Sequence, residues 1–169
     1  NLETDVLAEP GLRKALLLAT DRQDIIDQVL SGQGIISHGP VLPFSWAHDP
    51  AMATYEHNPD LAVEILETAG WLEVPGETVR RKGERTLSIE LLIGADATEV
   101  AVAQMLIDQW AEVGIEAVPK VVSSLALAED HLRPREYEIA LFDWQGIPPD
   151  PDFYALWHSS QAHPDGQNL

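Results

Sequence analysis

The chain has no cysteine among its 169 residues. Disulfide frameworks, thiolate metal sites and cysteine nucleophiles are therefore excluded. Basic residues are also scarce, since 10 Lys and Arg stand against 28 Asp and Glu, which gives a formal charge of −18. Nucleic-acid phosphates require a basic surface, so DNA and RNA are poor candidates as partners. The acidic balance indicates a well-solvated surface.

Long apolar runs and a targeting segment are absent as well. No stretch approaches the roughly 20 apolar residues of a membrane-spanning helix. The N-terminal sequence NLETDVLAEP lacks both a Met and the basic-then-apolar pattern of a signal peptide, which indicates a piece of a longer protein. A hydrophobic content of 45% suffices for one buried core in a chain of this length. We expect a single domain over residues 1–169.

Apolar residues at helical spacing, with capping residues at the ends, predict four helices in the first two thirds of the chain. They are Leu12–Ala19, a helix capped near Asp21 and stopped by Gly32, a helix capped by Asn58 and closed by Gly70, and a helix with an Asp96–Glu99 capping box that ends at Gly114. The segment from Ser31 to Tyr55 is too rich in Gly and Pro for regular structure and too apolar for a free linker. We predict a packed loop there.

Strand signals occur in the second half of the chain. Runs at Thr78–Arg81 and Thr86–Ile93 flank Lys82-Gly83-Glu84 and predict a hairpin. Further strands are predicted at Ile115–Val122 and at Tyr137–Trp144, separated by a helix over Ser124–Leu132. Because strands alternate with helices, parallel neighbours joined by crossover helices are expected. The predicted fold is α/β with a small mixed sheet.

The most informative segment is YEIALFDWQGIPPDPDFYALW, which begins at Tyr137. It predicts a strand that ends at Trp144, then a proline-rich turn, then a helix with Asp150 as its N-cap and Pro151 at its first position. A ligand-facing loop between strand and helix fits this order. Trp144 could stack against a ligand or fill the core, and Gln145 lies beside it.

Other chemistry finds little support in the sequence. Asp150 and Asp152 form a carboxylate pair, but capping and the helix dipole explain both. His38, His48, His57, His158 and His163 lack the spacing of metal ligands, and there is no Walker loop, G-x-S-x-G or G-x-G-x-x-G motif. We predict no metal site, no cofactor and no enzymatic activity.

Four phrases together resemble the bacterial extracellular solute-binding proteins of family 5, which include peptide and nickel receptors. They are LRKALLLATDRQDIIDQVLSGQG with Arg13, Asp21, Arg22 and Gly32, NPDLAVEILETAGW with Ala69, Gly70 and Trp71, WAEVGIEAVPKVV through Gly114-Ile115, and YEIALFDW with Asp150-Pro151. The phrases occur in the order and at the spacing of the family, and they cover nearly the whole chain.

The resemblance implies one lobe of a bilobed, type II periplasmic-binding-protein-like fold. Such a receptor is the substrate-binding subunit of an ABC importer, binds peptides or another small solute in a cleft, and delivers the solute to permease and ATPase subunits. It implies an extracellular or periplasmic location, with membrane contact only through a lipid anchor or the permease. Ligand contacts carry over to Trp144, Gln145, Gly146 and Ile147.

Ile147 departs from the family pattern. Oligopeptide-binding relatives have an aspartate at this position that holds the α-amino group of the ligand. An apolar side chain cannot supply that charge-assisted hydrogen bond, which is worth about 1.5–3 kcal/mol. Peptides, opines, oligosaccharides, polyamines and metal chelates therefore stay open as ligands. A ligand-sensing domain of a bacterial transcription regulator is the alternative function, and an enzyme using Asp150 and Asp152 is a third candidate.

Overall fold

The computed structural model describes residue 4 and residues 6–143, 152–162, 166 and 168. Helices and strands alternate along the second half of the chain, as predicted. The helices are α1 Pro10–Ala19, α2 Arg22–Val29, α3 Pro59–Thr68, α4 Ala97–Glu112, α5 Ser124–Ala126 and α6 Tyr154–Trp157. The strands are β1 Arg81–Lys82, β2 Arg85–Thr86, β3 Ser88–Gly94, β4 Glu116–Val122 and β5 Ile139–Leu141. The predicted α/β class is confirmed.

Helices α1 and α3 form the base of the core. Pro10 occupies the first turn of α1, two residues before the predicted start, because the fixed φ of proline suits a position whose N–H has no helical partner. In α3 the Asn58 side chain accepts the N–H of Leu61 at 3.0 Å, as predicted. Gly70 then adopts a φ of +89°, and Trp71 turns back and is fully buried. Pro10 thus marks the start of α1, and Asn58 and Gly70 mark the two ends of α3.

Hydrogen bonds connect the junction between α1 and α2 to α4. Thr20 lies between α1 and α2, and its hydroxyl accepts the indole N–H of Trp110 at 3.0 Å. The backbone N–H of Asp21 donates to the Gln109 side chain at 2.9 Å. The side chain of Asp21 in turn caps α2 by accepting the N–H of Asp24. The predicted cap at Asp21 is confirmed.

Three parallel strands form the main sheet, in the order β4-β3-β5. The central strand β3 pairs along its whole length with β4, and Leu91 is opposite Pro119 on one side and Ile139 on the other. Parallel neighbours joined through α4 are therefore confirmed. Strands of a parallel sheet that are covered on both faces consist of consecutive apolar residues. Accordingly, Leu91, Leu92 and Ile93 are all buried.

Strand β5 is shorter than the predicted Tyr137–Trp144. The carboxylate of Glu138 accepts the backbone N–H of Glu90 at 2.6 Å. If β5 extended further towards Tyr137, a backbone carbonyl of β5 would accept this N–H instead. Ladder pairing begins at Ile139 and ends at Leu141. Phe142 and Asp143 then leave the sheet, and Trp144 lies outside the described residues.

The predicted hairpin is correct in place and wrong in extent. Lys82 pairs with Arg85 across a two-residue turn with Gly83 at a φ of +63°. Thr78–Arg80 are not a strand, because the N–H of Arg80 donates to Gly114 at 2.9 Å instead of to the hairpin partner. The predicted strand Thr86–Ile93 is divided at Leu87. Thr86 belongs to β2 and pairs with β1, whereas Ser88–Ile93 belong to β3 and pair with β4.

Two further predictions need correction. Residues 31–55 contain no helix or strand, as predicted, but Ile35, Phe44 and Trp46 are 67%, 74% and 81% exposed, so the predicted packing of this loop is wrong for its largest side chains. The predicted helix Ser124–Leu132 forms only one α-helical turn, α5, and continues as a π-helical segment over Leu127–Leu132. Wider turns of this kind occur often at functional sites.

Candidate functional site

The candidate site is the edge of the sheet at which all three parallel strands end. Strands β3, β4 and β5 end at Gly94, Val122 and Leu141, and each is followed by a segment that turns away from the sheet. In α/β proteins, ligands bind outside the carboxyl ends of parallel strands. We call this region the carboxyl edge. The predicted binding loop starts directly after β5, at this edge.

Asp96 shapes the turn from β3 into α4. Its carboxylate accepts the backbone N–H of Thr98 at 2.8 Å and that of Glu99 at 3.3 Å. These bonds to the first turn of the helix, led by the one from Thr98, hold the pKa of Asp96 below its ordinary value. The Asp96 carboxylate is thus committed to capping, and it adds negative charge to the edge.

Glu99 covers the end of β3. A Cβ placed on Gly94 would collide with the Glu99 carboxylate, so a larger residue at this position would displace that carboxylate. The predicted capping box is half formed, because Asp96 caps the helix whereas the Glu99 carboxylate is turned to the N–H of Gly94. Sequence reasoning missed this contact.

The electrostatics of Glu99 connect the turn to the start of the binding loop. Burial is the main cause that raises the pKa of Glu99, and the negative charges of Asp143 and Asp96 raise it further. The hydrogen bond from the N–H of Gly94 lowers this pKa. Asp143 is the last described residue before the predicted loop. Its charge acts on Glu99, so Asp143 lies near the start of α4.

Replacing Glu99 by Gln is expected to change the pH dependence of stability. A raised folded-state pKa contributes stability that is complete below the ordinary value near 4.5 and is lost as pH rises through the raised value. Gln is neutral at every pH and keeps an acceptor for Gly94. The stability of Glu99→Gln relative to wild type should therefore increase between about pH 4 and about pH 7. Urea unfolding at both pH values measures this, and a constant or decreasing difference would contradict the assigned electrostatics.

The four predicted ligand contacts lie outside the described residues. Trp144, Gln145, Gly146 and Ile147 follow Asp143 directly, and Asp150 and Pro151 are also outside. Their attachment point on β5 is described. The helix predicted to begin at Pro151 begins instead at Tyr154, whose N–H donates to the Asp152 carboxylate at 3.0 Å. Asp152 therefore serves as a local cap.

The histidines have local partners. His38 and His57 lie near acidic side chains, with 3.8 Å between His38 and Glu56 and 3.3 Å between His57 and Asp21. His158 accepts the N–H of Ser160 at 3.2 Å. His163 lies outside the described residues. Within the described part of the chain, no three His, Asp or Glu side chains are grouped so that they could hold a metal ion.

The helices are too short or too polar to cross a lipid bilayer in the portion of the chain for which the structure gives coordinates.

Comparison with known proteins gives a consistent result. The sequence profile described as bacterial extracellular solute-binding proteins, family 5 Middle, matches residues 1–165. The oligopeptide-binding protein AppA of Bacillus subtilis is 28% identical over 165 residues, which cover 95% of this chain and 30% of that protein. The nickel-binding periplasmic protein of Escherichia coli is 25% identical over 167 residues, covering 94% of this chain and 30% of that protein.

Solved structures share the fold. AppA of Bacillus subtilis in complex with a nonapeptide superposes with a TM-score of 0.85 at 27% identity, over 96% of this chain and 33% of that one. NikZ of Campylobacter jejuni in complex with Ni(L-His) gives 0.87 at 24% identity, over 99% and 34% of the two chains. The chain thus spans about a third of the length of these relatives.

Proposed function

Because the chain belongs to the bacterial extracellular solute-binding proteins of family 5, we propose that residues 1–169 form one lobe of a larger two-lobed receptor. The receptor captures a small solute between its lobes and delivers it to the permease and ATPase subunits of an ABC importer. It acts outside the cytoplasmic membrane, in the periplasm or at the cell surface, and attaches to the membrane through a lipid anchor or the permease.

The observation that carries this proposal is the position at which β5 ends, directly before the segment that we propose as the binding loop. The family match extends across it, since the matched residues run to 165. Phe142 and Asp143, which precede the loop, leave the carboxyl edge of a parallel sheet, where α/β folds bind ligands. The negative potential of Asp96, Glu99 and Asp143 lies at its start. A rigid sheet edge that presents a loop is the arrangement by which such folds position binding residues.

Within that loop we propose Trp144, Gln145, Gly146 and Ile147 as ligand contacts. An indole ring supplies a large, rigid stacking surface, and an amide supplies both donors and an acceptor. Ile147 supplies an apolar contact and no charge. A solute whose recognition does not depend on an ammonium group at this position fits best. The named relatives bind ligands as different as oligopeptides and nickel, which is consistent with specificity set by single loop residues.

The proposed mechanism is a shift between conformations and involves no covalent step. A solute that contacts both lobes binds the closed state more tightly and therefore increases its population. The reported relatives are named as binding proteins, and Asp152 is occupied by a backbone N–H. We accordingly propose no enzymatic activity. No observation favours the alternative of a sensor domain in a transcription regulator.

Replacing Trp144 by Ala is expected to weaken solute binding by roughly tenfold or more, because a stacked aromatic contact contributes about 1.4 kcal/mol or more. Isothermal titration with the solute released from the purified receptor measures the change. Trp46→Ala is the matched control, since Trp46 is an 81% exposed tryptophan on a different loop. Equal affinities for wild type and Trp144→Ala would exclude Trp144 as a ligand contact.

A further inference from the structure

The long loop between α2 and α3 is closed at its base by one arginine. Arg22, the first residue of α2, donates from Nη1 to the carbonyl of Ser37 at 3.1 Å and from Nη2 to the carbonyl of Tyr55 at 2.5 Å. The two ends of the loop are thereby held on the same guanidinium. Between them, residues 39–54 carry the exposed side chains of Phe44 and Trp46.

His38 completes this closure as a hydrogen-bond acceptor. Its Nδ1 atom lies 3.3 Å from Nη2 of Arg22 and accepts the backbone N–H of Tyr55 at 3.4 Å. Arginine nitrogens and backbone N–H groups only donate, so both contacts require a lone pair on Nδ1. The proton of the neutral ring must therefore sit on Nε2. We call Arg22, His38 and Tyr55 the neck of the loop.

Protonation would remove that acceptor. A doubly protonated ring has N–H on both nitrogens, so Nδ1 could bond neither the guanidinium nor Tyr55. It would also place a second positive charge 3.3 Å from Arg22. The carboxylate of Glu56 lies 3.8 Å from Nε2 of His38 and would favour the cation, but its side chain is 77% exposed and its attraction is screened by water.

Two other charged contacts lie next to the neck. His57 Nδ1 is 3.3 Å from the carboxylate of Asp21, so protonation of His57 would strengthen the hold on the segment after the loop. Lys14 on α1 lies 6.0 Å from the ring of Tyr55. Protonation of His57 thus opposes any opening caused by His38.

We propose that the neck is a proton-sensitive latch, in which neutral His38 holds the backbone N–H of Tyr55 and protonation of His38 loosens that end of residues 39–54, while Arg22 keeps its bonds to the carbonyls of Ser37 and Tyr55. Histidine is the side chain whose charge changes between about pH 5 and 8. The loosened segment carries Phe44 and Trp46, so acid changes the surface that these aromatic side chains present.

Hydrogen–deuterium exchange tests the latch. We expect protection factors for residues 39–54 of the purified protein to fall roughly tenfold between about pH 8 and about pH 5.5, after division by intrinsic exchange rates, whereas those of α4 stay constant. In His38→Asn, whose side-chain oxygen accepts hydrogen bonds without taking up a proton, protection should be independent of pH. In His38→Ala the loop should exchange rapidly at both pH values.

His57→Gln is the control for the opposing contact. It removes the interaction that acid strengthens, so the fall in protection should become larger than in wild type. A wild-type loop with unchanged protection between the two pH values would overturn the proposal. A His38→Asn loop that opens with acid as wild type does would overturn it as well, because the proton would then act elsewhere.

Discussion

Replacing Arg80 by Met is expected to lower the free energy of unfolding by about 3 kcal/mol. Arg80 is the one charged side chain that is almost fully buried in the described part of the chain, with 1% of it exposed. Its Nε donates to the carbonyl of Val113 at 2.8 Å, and Nη1 donates to the carbonyl of Trp71 at 3.3 Å. Met fills a similar volume but leaves both carbonyls without their donors.

The expected loss of stability comes mainly from the carbonyls of Val113 and Trp71, which lose their donor. Glu67 and Glu73 also contact the guanidinium, at 3.4 and 2.9 Å, but their side chains are 52% and 80% exposed and can return to water. A buried acceptor that loses its donor costs about 1–3 kcal/mol, whereas an exposed ion pair contributes about 0–1 kcal/mol. Two orphaned carbonyls therefore account for most of the expected loss.

Urea denaturation of the two proteins measures the difference. Arg85→Met is the matched control, because Arg85 is an exposed arginine on the neighbouring strand and its replacement should change stability by less than about 0.5 kcal/mol. Equal losses for the two variants would show that net charge, rather than the buried contacts of Arg80, controls stability here.

Replacing Leu91 by Ala is expected to cost about 3–4 kcal/mol. Leu91 lies at the centre of β3, is fully buried, and belongs to the main core together with Leu12, Leu66 and Trp110. Truncation removes the transfer free energy of three carbons and leaves a cavity that a strand paired on both sides cannot collapse to fill. Since β3 also carries Gly94, the same change should disturb the carboxyl edge.

Leu72→Ala is the control for this truncation. Leu72 is 54% exposed and its backbone bridge to Arg81 does not involve the side chain, so the loss should be below about 1 kcal/mol. Thermal unfolding followed by circular dichroism compares the two. Similar melting temperatures for Leu91→Ala and Leu72→Ala would contradict the placement of β3 at the centre of the core.

Local signals in the sequence were sufficient to place most of the fold. Asn58 and Gly70 bound α3 because a cap and a positive φ depend on neighbouring residues alone. The parallel pairing of β3 and β4 followed from the strand–helix–strand order, since a crossover returns the chain in the same direction.

Some of the features that escaped prediction depend on distant partners, and others leave only a weak local signal. Arg80 was predicted to lie within a strand, and its bonds to the carbonyls of Trp71 and of Val113, the latter 33 residues away, explain its burial. The contact of Glu99 with Gly94 has a weak local signal, a glycine at a strand end followed by a glutamate one turn into the next helix. The exposed positions of Phe44 and Trp46 contradict the usual burial of aromatic side chains.

The most direct test of the account is native mass spectrometry of the whole receptor that contains this chain, purified without denaturation. The account predicts a complex whose mass exceeds that of the polypeptide by one small solute, which is released when the receptor is unfolded. Trp144→Ala should retain less of the solute. A receptor that carries no solute, and whose mass does not change on addition of peptides, oligosaccharides or nickel–histidine, would contradict it.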